Sequence, residues 1–318
     1  MTNMLRLVGR RLAILPVMIL GITFLVYALM ALSPIDPAYV ALGESASEEA
    51  RAAYRQQIGY YDPLIVRYGR FLWDMLHGSL GTYSSQQLPV TQRIATAFPI
   101  TMELTFMGLL IAVVFALLFG VLAALYRDKW PDQVIRVFSI LCVATPSFWL
   151  AVLFIQAFTI KLNWLPGSGP LPDPGVDPAG FMARMALPAI ALGVPVAGSL
   201  IRVVRTSMVE ELDKDYVRTA LGAGIPKHTV VARNVLRNAL ITPVTVLGLR
   251  IGYLMGGAII IEVIFDLPGM GVAILQGVTD NEPNLVQGVT LVVALAFVII
   301  NIVVDMLYVL INPRIREV

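Results

Sequence analysis

The sequence predicts an all-α integral membrane protein with six transmembrane helices, and two observations lead to that fold class. Of its 318 residues, 58% are hydrophobic and 14% are charged, whereas soluble domains average about 45–50% apolar and about 25% charged residues. Six apolar runs also reach the length of about 20 residues that a helix needs to cross a bilayer core of about 30 Å. Because these runs are continuous rather than alternating, they predict helices and exclude the strands of a membrane barrel.

The six predicted spans are Leu12–Leu32, Ile100–Tyr126, Val134–Leu162, Met185–Val204, Ala239–Phe265 and Leu285–Ile311. The first follows a basic stretch, as a signal peptide does, but its apolar run is longer than the about 7–15 residues of a signal core. We therefore interpret it as an uncleaved anchor. Prolines lie in or near several spans, where membrane helices accept kinks, and Pro195 is expected to bend the fourth span. These prolines are Pro16, Pro146, Pro188, Pro195 and Pro243.

Lysine and arginine are concentrated in the short loops on one side of the membrane. Arg127, Lys129 and Arg136 lie in or next to the loop between spans two and three, and a second group lies between spans four and five. Cytoplasmic loops carry the excess of positive charge, so we expect both termini and the segment 206–238 in the cytoplasm. The loop 33–99 then lies outside, because long loops are translocated largely regardless of charge. The chain is therefore expected to have four parts. Residues 1–32 contain the first span, 33–99 form the outside loop, 100–311 form the five-helix core and 312–318 form the tail.

The outside loop 33–99 is predicted to fold into helices. Ser47 is suited to cap a helix over Ser47–Ile58, since a serine oxygen can accept one of the free amides of the first turn. Pro63 suits the start of a second helix, which Gly78 and Gly81 end. Its apolar face comprises Tyr68, Phe71, Leu72, Met75 and Leu76. The loop is expected to form a cap on the membrane domain, and a docking surface for an external partner is a second possibility.

The polar segment 206–238 is predicted to fold as a helix, a tight turn and a second helix. Asp213 is expected to cap the helix Lys214–Ala223, and Gly222 and Gly224 to stop it, because glycine readily takes the left-handed conformation. Pro226 suits the first turn of the second helix. A chain reversal needs only a few residues, so the length of the segment favours an element that docks on a partner over a plain loop.

Within this segment, Arg218-Thr219-Ala220-Leu221-Gly222-Ala223-Gly224 resembles the Glu-Ala-Ala-x-x-x-Gly coupling loop of ABC importer permeases, with Ala220 and Gly224 matching. Asp215-Tyr216-Val217-Arg218-Thr219-Ala220 is similar to the form found in the peptide-transport branch. Further stretches resemble that branch, and they are Ser33–Pro37, Gly78–Gly81, Leu236–Leu240, Glu262–Phe265, Leu267–Gly271 and Asn312–Arg316. The resemblance to the dipeptide/oligopeptide permease family therefore runs from Arg10 to Arg316.

The resemblance implies the type I ABC importer permease fold in a bacterial inner membrane. The chain would form half of a translocation pathway for di- or oligopeptides, with a second homologous permease subunit as the other half. Two cytoplasmic ATPase subunits, or a fused pair, and an extracytoplasmic substrate-binding protein would complete the importer. Segment 206–238, here called the coupling segment, would transmit ATPase motion through its loop 210–238. The coupling residues implied are Asp213, Asp215, Tyr216, Arg218, Thr219, Ala220 and Gly224. Importers of nickel complexes or glutathione are alternatives.

Several functional classes find no support in the residues. The sequence lacks a Gly-x-x-x-x-Gly-Lys-Ser/Thr loop, so no nucleotide is expected on this chain, and ATP and magnesium would belong to the partner ATPases. Its two histidines lie far apart and Cys142 is the single cysteine, which argues against a metal site. The net charge of +2 gives no indication of nucleic acid. An intramembrane enzyme would need a catalytic pair within the spans, and a secondary transporter often shows two similar halves; neither is evident.

Two features inside the spans are candidates for the translocation pathway or a helix interface. Gly248, Gly252 and Gly256 are spaced by four residues, and small residues at that spacing let helices approach closely. Arg250 lies near the middle of span five, where an arginine needs protein or water around it. Glu262 is about 18 Å away along the helix, so Asp305 is the expected partner of Arg250. A pathway role and a plain ion pair between helices both fit Arg250.

Overall fold

The computed structural model describes residues 2–33, 36–43, 45–83 and 86–311, with side chains from residue 15 onward except at 305 and 307–311. Within these residues the chain is mostly helical, and it divides into two compact units. Unit 1 comprises Met1–Thr101 and Pro268–Ile299, and unit 2 comprises Met102–Leu267 and Ile300–Val318.

The elements follow in chain order. The first are α1 (Thr2–Ala31), α2 (Pro37–Leu42), α3 (Glu48–Gln57), α4 (Leu64–Leu76), β1 (Thr82–Tyr83), β2 (Leu88–Pro89), α5 (Val90–Leu125), α6 (Trp130–Ala144) and α7 (Ser147–Phe154). A π-helical turn, Ile155–Lys161, follows α7. The remaining elements are α8 (Pro178–Leu212), α9 (Asp215–Gly222), α10 (Lys227–Val230), a π-helical turn (Val231–Val235), α11 (Leu236–Ala239), α12 (Ile241–Phe265), α13 (Met270–Thr279) and α14 (Pro283–Ile311).

Unit 1 has a buried apolar cluster that joins α5, α13 and α14. Its members are Val90, Ile94, Ala97, Met270, Ala273, Leu285 and Val289. The amide of Met270 donates to the Thr101 hydroxyl at 2.9 Å, which gives the first residue of α13 an acceptor that a helix start lacks. Strands β1 and β2 form a short antiparallel hairpin, with Thr82 opposite Pro89, which the sequence did not predict.

Helix α3 begins where the sequence predicts. The Ala50 amide donates to the Ser47 hydroxyl at 3.2 Å, so the predicted cap is confirmed. Arg55 in the last turn of α3 donates from Nε to the Asp36 carboxylate at 2.8 Å. That hydrogen bond lowers the pKa of Asp36, which also caps α2 by accepting the Ala38 amide. The carboxylate therefore ties α2 to α3.

Helix α4 begins directly after Pro63, as predicted, and packs on α1. The Tyr68 hydroxyl lies 2.8 Å from the Thr23 hydroxyl, and the rings of Tyr68 and Phe71 are both buried. Leu76, which was expected on the same apolar face, is largely exposed. The reason is position, since Leu76 is the last residue of α4.

Helix α8 is the central helix of unit 2. Most of its residues are buried, and α6, α7 and α12 pack against it. The approach to α6 is close, because a β-carbon on Gly198 would lie 2.6 Å from the β-carbon of Cys142. Helix α8 continues without interruption through Pro188 and Pro195. It is therefore one helix of 35 residues.

Among the described residues, four helices are long and apolar enough to span a membrane, namely α5, α8, α12 and residues Pro283–Val304 of α14. The apolar part of α1, Leu15–Ala31, is slightly shorter than the length required. The predicted third span is not one straight helix. It is a pair, Trp130–Ala144 and Ser147–Lys161, bent by 100°, and counting the pair as one span brings the total to five.

Pro146 explains the break in the third span. Proline lacks the amide that would continue the hydrogen-bond ladder, and it disfavours helical geometry in the residue before it. Thr145 accordingly has extended backbone angles, φ −88° and ψ 118°. The prediction identified the proline but treated it as a tolerated kink.

Candidate functional site

The coupling segment folds as the predicted helix, turn and second helix. Helix α9 ends at Gly222, and Gly224 follows with a φ of +80°. The Ile225 amide donates to the Ala220 carbonyl at 3.2 Å, and the Gly224 amide donates to Leu221 at 3.0 Å. These two bonds form a Schellman motif, which requires a left-handed residue at the position of Gly224. The second helix, begun by Pro226, is divided into α10 and α11 by a π-helical turn.

The predicted capping role of Asp213 is wrong. Helix α8 continues to Leu212, and Asp213 lies at its C-terminal end. The Asp213 carboxylate instead accepts a hydrogen bond from Arg127 Nη1 at 2.8 Å. Lys214 occupies the cap position of α9, and its side chain makes no hydrogen bond to the amides of the first turn, because lysine has no acceptor to offer.

A buried carboxylate holds the inner side of the coupling segment. Glu211, on the last turn of α8, is buried. The Tyr216 hydroxyl donates to its Oε1 at 2.8 Å, and the Lys214 ammonium lies 2.6 Å from its Oε2. Asn238 donates from its amide to the Tyr216 hydroxyl at 3.4 Å. These contacts join the end of α8 to α9 and α11, and burial raises the pKa of Tyr216.

A second buried carboxylate anchors α8 to α6 before the coupling segment begins. Arg205 donates from Nε and Nη2 to the two carboxylate oxygens of Asp132, both at 2.6 Å. The Asp132 side chain is fully buried and also accepts the Asp128 amide at 2.9 Å. Arg205 belongs to the basic group near the coupling segment, which sequence reasoning used only as a marker of orientation, and Asp132 was missed. The available signal was an acid in the first turn of a span, where charges need a partner.

The outer side of the coupling segment is exposed. The side chains of Asp215 and Arg218 are 97% and 74% exposed and lie 3.7 Å apart. Leu221 and Ile225 are 41% and 43% exposed, and every residue from 221 to 228 is exposed. Thr219 is exposed and Ala220 is half-buried. Apolar residues surrounded by charged ones on a protein surface are typical of a site for another protein.

No group of three or more His, Cys, Asp or Glu side chains in the described part of the chain is arranged to hold a metal ion. The predicted coupling residues are distributed over both sides. Tyr216 belongs to the inner side, whereas Asp215, Arg218 and Thr219 belong to the outer side.

The three glycines of α12 do not share one packed face. Gly248 is buried, and a β-carbon there would collide with the Val304 side chain. Gly252 is half-buried, and Gly256 is exposed with nothing within 4 Å of an added β-carbon. A spacing of four residues rotates each glycine by about 40° relative to the previous one in a helix of 3.6 residues per turn. Gly257 instead faces α8, at 3.0 Å from Leu192.

The charged residues of the predicted pathway are only partly described. Arg250 is half-buried and forms no ion pair among the described side chains. Its expected partner Asp305 lies on α14, but the Asp305 side chain is outside the described residues. Glu262 is fully buried near the end of α12. The Arg250–Asp305 pair and the pathway role of these residues stay predictions.

Arg184 is a buried arginine that sequence reasoning passed over. Its guanidinium donates to the carbonyls of Gly167 and Gly169, each at 3.3 Å. It also donates to the carbonyls of Phe265 and Asp266 at the end of α12. A cation is favourable at a helix C-terminus, where carbonyls lack partners. Arg184 thus fastens α8 and the preceding loop to α12, and it has a structural role.

Comparison with known proteins agrees with this architecture. Residues 116–317 match the family described as the inner membrane component of binding-protein-dependent transport systems. Residues 4–105 match the N-terminal family of membrane components of the same systems. Among solved structures, the inward-facing MetNI methionine ABC transporter matches with a TM-score of 0.56 at 15% identity, covering 70% of this chain and 97% of that chain. At that identity the match shows a shared fold.

Two curated relatives match over nearly their whole length. The putative peptide transport system permease protein of Brucella abortus (strain 2308) is 37% identical over 302 residues, which are 95% of this chain and 96% of the relative. The glutathione transport system permease protein GsiC of Salmonella paratyphi A is 36% identical over 307 residues, covering 96% and 97%. The family, the helical permease fold and the classification as a transport component rather than an enzyme are thereby confirmed. The chain belongs to the inner-membrane permease components of binding-protein-dependent ABC importers.

Proposed function

We propose that this permease forms half of a transmembrane passage for short peptides and that its coupling segment docks on a partner ATPase. The observation that carries the proposal is the contrast between the two sides of the segment. Its inner side is fixed to α8 through Glu211, whereas its outer side exposes Leu221 and Ile225, which lie in the sequence between the exposed residues Arg218 and Lys227. A segment that is fixed to its own helix and exposes apolar residues at its turn, here called the tip, is suited to bind a partner and to follow the partner's movement.

The contacts between the coupling segment and the membrane helices support transmission of the partner's movement to those helices. Glu211 connects α9 to the last turn of α8, and Arg205 connects α8 to α6 through Asp132. Helix α8 packs in turn on α7 and α12. Movement of the tip would therefore displace the helices of unit 2 together, because packed helices transmit strain rather than absorb it.

The proposed cycle is alternating access. ATP, with magnesium, would close two partner ATPases, and each coupling segment would move with its ATPase. The spans of this chain and of a second, homologous permease would then open toward an extracytoplasmic binding protein, and hydrolysis would return them. Both termini and the coupling segment would lie in the cytoplasm, as the lysine and arginine distribution favours.

The names of the relatives favour peptides as cargo, and glutathione is the second candidate. One relative is named for peptide transport and another for glutathione transport, at nearly equal identity. Both cargoes are small molecules with amide bonds and free carboxylates. The same passage would suit either, so selectivity would lie largely with the binding protein.

The test is purification through a tag on this chain, expressed in cells together with its proposed partners, a second permease, the ATPases and a binding protein. The proposal expects both ATPases to co-purify and proteoliposomes to take up a labelled dipeptide only with ATP and binding protein. Uptake of labelled glutathione in place of the dipeptide would select the second candidate. Absence of ATPases from the purified complex, or uptake that is independent of ATP, would overturn the proposal.

A further inference from the structure

Helix α4 of unit 1 packs on α1 at a point far from the end of that helix. The Tyr68 hydroxyl donates to the Leu20 carbonyl at 3.0 Å and lies 2.8 Å from the Thr23 hydroxyl. The Tyr68 ring also contacts the Phe24 ring, with the two ring centres 5.2 Å apart. At 1.5 Å per residue, Leu20 lies about 16 Å along the helix from Ala31, where α1 ends.

This point of contact is at the middle of the predicted first span. Helix α1 runs from Arg11 to Ala31 without a break, and Leu20 is about 14 Å from Arg11 along the same axis. The two distances together equal the thickness of about 30 Å of a bilayer core. Because an arginine belongs near the membrane surface, residues 11 and 31 mark the two surfaces. The Tyr68 hydroxyl therefore reaches the depth of the bilayer centre.

The ring contacts give the depth of α4 itself. Tyr27 contacts the rings of Tyr68 and Phe71, with ring centres 5.6 and 6.0 Å apart. Along α1, Tyr27 lies about 6 Å and Phe24 about 10 Å from Ala31. Helices that lie in a membrane surface bury their apolar side about 5–10 Å below the boundary between headgroups and acyl chains. Helix α4 lies at the depth of such helices.

The residues of α4 divide into three faces. The first face packs on α1 through the buried residues Tyr68 and Phe71. The second is polar, and it holds Arg67, Arg70 and Asp74, which are spaced by three and four residues and so lie on one side of the helix. The third, here called the lipid face, is apolar and exposed. It comprises Ile65, Val66, Gly69, Trp73 and Leu76.

The lipid face is too apolar for a surface in water. Ile65, Trp73 and Leu76 are 75%, 65% and 76% exposed, and exposed apolar surface that is collected on one side marks contact with a protein or a membrane. The surface of α1 beside it favours the membrane. Leu20 and Phe24, which touch Tyr68, are themselves 45% and 43% exposed, so apolar surface continues from the span onto α4.

Helix α3 of the same loop provides the contrast. Its exposed residues are glutamate, glutamine and alanine, and Glu48 and Gln56 are examples. Helix α4 instead exposes Trp73, whose ring lies 4.5 Å from that of His77. Tryptophan is enriched where a membrane meets water, because it has an apolar body and one polar N–H. The apolar surface is thus a property of α4 and not of the loop as a whole.

We propose that α4 lies in the membrane beside α1 rather than above it, with its lipid face against phospholipid acyl chains and its polar face toward the headgroups. In the orientation proposed above, this is the outer leaflet. The loop 33–99 then combines a water-exposed part around α3 with a membrane-bound part. The inference concerns neither the coupling segment nor the cargo, so it goes beyond the proposed function.

The test uses spin labels on the full-length chain, purified with the subunits that accompany it and reconstituted in liposomes of phosphatidylethanolamine and phosphatidylglycerol. Cys142, the single cysteine, is replaced by serine, and Ile65→Cys or Leu76→Cys introduces the site of labelling. Oxygen concentrates among acyl chains, whereas a nickel chelate stays in water. The labels at positions 65 and 76 should therefore be relaxed several-fold more strongly by oxygen than by the chelate.

Two controls use the same loop. Asp74→Cys is the matched control, because Asp74 is exposed on the polar face of the same helix, and Gln56→Cys is exposed on α3. The chelate should reach both labels more strongly than oxygen does. Access of the chelate to positions 65 and 76 would overturn the inference. Exclusion of both reagents from these positions would indicate a covering protein subunit and would overturn it too.

A second measurement uses a native side chain of the lipid face. Trp130, Trp149 and Trp164 are exposed, so their replacement by phenylalanine should preserve the fold and leave Trp73 as the only tryptophan of the four. Lipids brominated near the headgroup end of the acyl chain should quench Trp73 fluorescence more than lipids brominated near the methyl end, as a depth of about 5–10 Å requires. Absence of quenching by both lipids would contradict the inference. Neither measurement depends on ATPase docking or uptake, so each proposal can fail without the other.

Discussion

The inner and outer sides of the coupling segment differ in how their polar and apolar groups are satisfied. On the inner side, the Glu211 carboxylate meets Tyr216 and Lys214 at 2.8 and 2.6 Å. On the outer side, the side chains of Asp215 and Arg218 are largely exposed and pair with each other at 3.7 Å. Buried hydrogen-bonded charges fix geometry, whereas exposed pairs contribute about 0–1 kcal/mol. The inner side therefore determines where the segment is, and the outer side is free to bind.

This difference between the inner and outer sides leads to a general expectation about substitutions. Substitutions beneath or inside the segment should lower the stability of the chain and affect docking only through it. Substitutions of the outer side chains Asp215, Arg218, Leu221 and Ile225 should lower docking and leave stability unchanged, whereas the backbone of the turn at Gly224 is a separate case. A substitution of an inner side chain that lowered docking without lowering stability would contradict this difference between the two sides.

The largest effect is expected at Asp132. Replacing Asp132 with Asn leaves the Arg205 guanidinium, which now has two 2.6 Å bonds, without its counter-charge. Removing one partner of a buried ion pair costs about 3–5 kcal/mol, so the unfolding free energy in detergent should fall by that amount. Asp128→Asn is the control, because the Asp128 side chain is 73% exposed. Equal destabilisation by the two substitutions would show that the buried pair is not the anchor.

The next effect is expected at the exposed apolar tip. Leu221→Glu combined with Ile225→Glu should weaken binding of purified ATPase subunits by about 30-fold, or about 2 kcal/mol, as the loss of an interface centre does. The thermal midpoint of the chain should not change, since both side chains already reach water. Val176→Glu is the control, an exposed apolar residue outside the segment. If the double variant bound the ATPases as strongly as the native chain does, Leu221 and Ile225 would not be part of the interface.

The smallest effect is expected at the turn. Gly224→Ala should destabilise the chain by about 1–2 kcal/mol, because left-handed backbone at φ +80° is unfavourable for a residue with a β-carbon. Gly222→Ala, two residues away, should be neutral or stabilise by up to about 1 kcal/mol, since alanine favours helix. An added β-carbon has free space at both positions, so backbone conformation is the difference. The comparison is made by chemical unfolding of the two variants.

Local features of this fold could be predicted because their causes are local. Ser47 caps α3, Pro63 precedes α4 and Gly224 ends the first helix of the segment, and each depends on residues within one turn. The 100° break at Pro146 was not predicted, since a proline in a span fixes where a bend can occur and not its size. Asp213 was misassigned because helix ends extend or shorten with tertiary contacts, here with Arg127.

The anchors of the candidate site could not be predicted for a different reason. Asp132 and Arg205 are 73 residues apart in the chain, and Arg184 reaches carbonyls more than 80 residues away. Hydropathy and motif spacing hold no information about such pairs. The exposure of Leu221 and Ile225 was likewise hidden, since an apolar residue in an amphipathic helix is equally consistent with burial.

Docking of the tip on an ATPase can be measured by cysteine labelling. Cys142 is the single cysteine of the chain and is buried, so a cysteine introduced by Ala223→Cys or Val176→Cys is the site that a maleimide reaches first. The rate of labelling is compared between the purified permease and the same permease assembled with its ATPase subunits. Docking through the tip predicts that assembly slows labelling at position 223 by about tenfold or more, as burial in an interface core excludes water, and leaves position 176 unchanged. Equal labelling at position 223 in both states, with the ATPases bound, would contradict it.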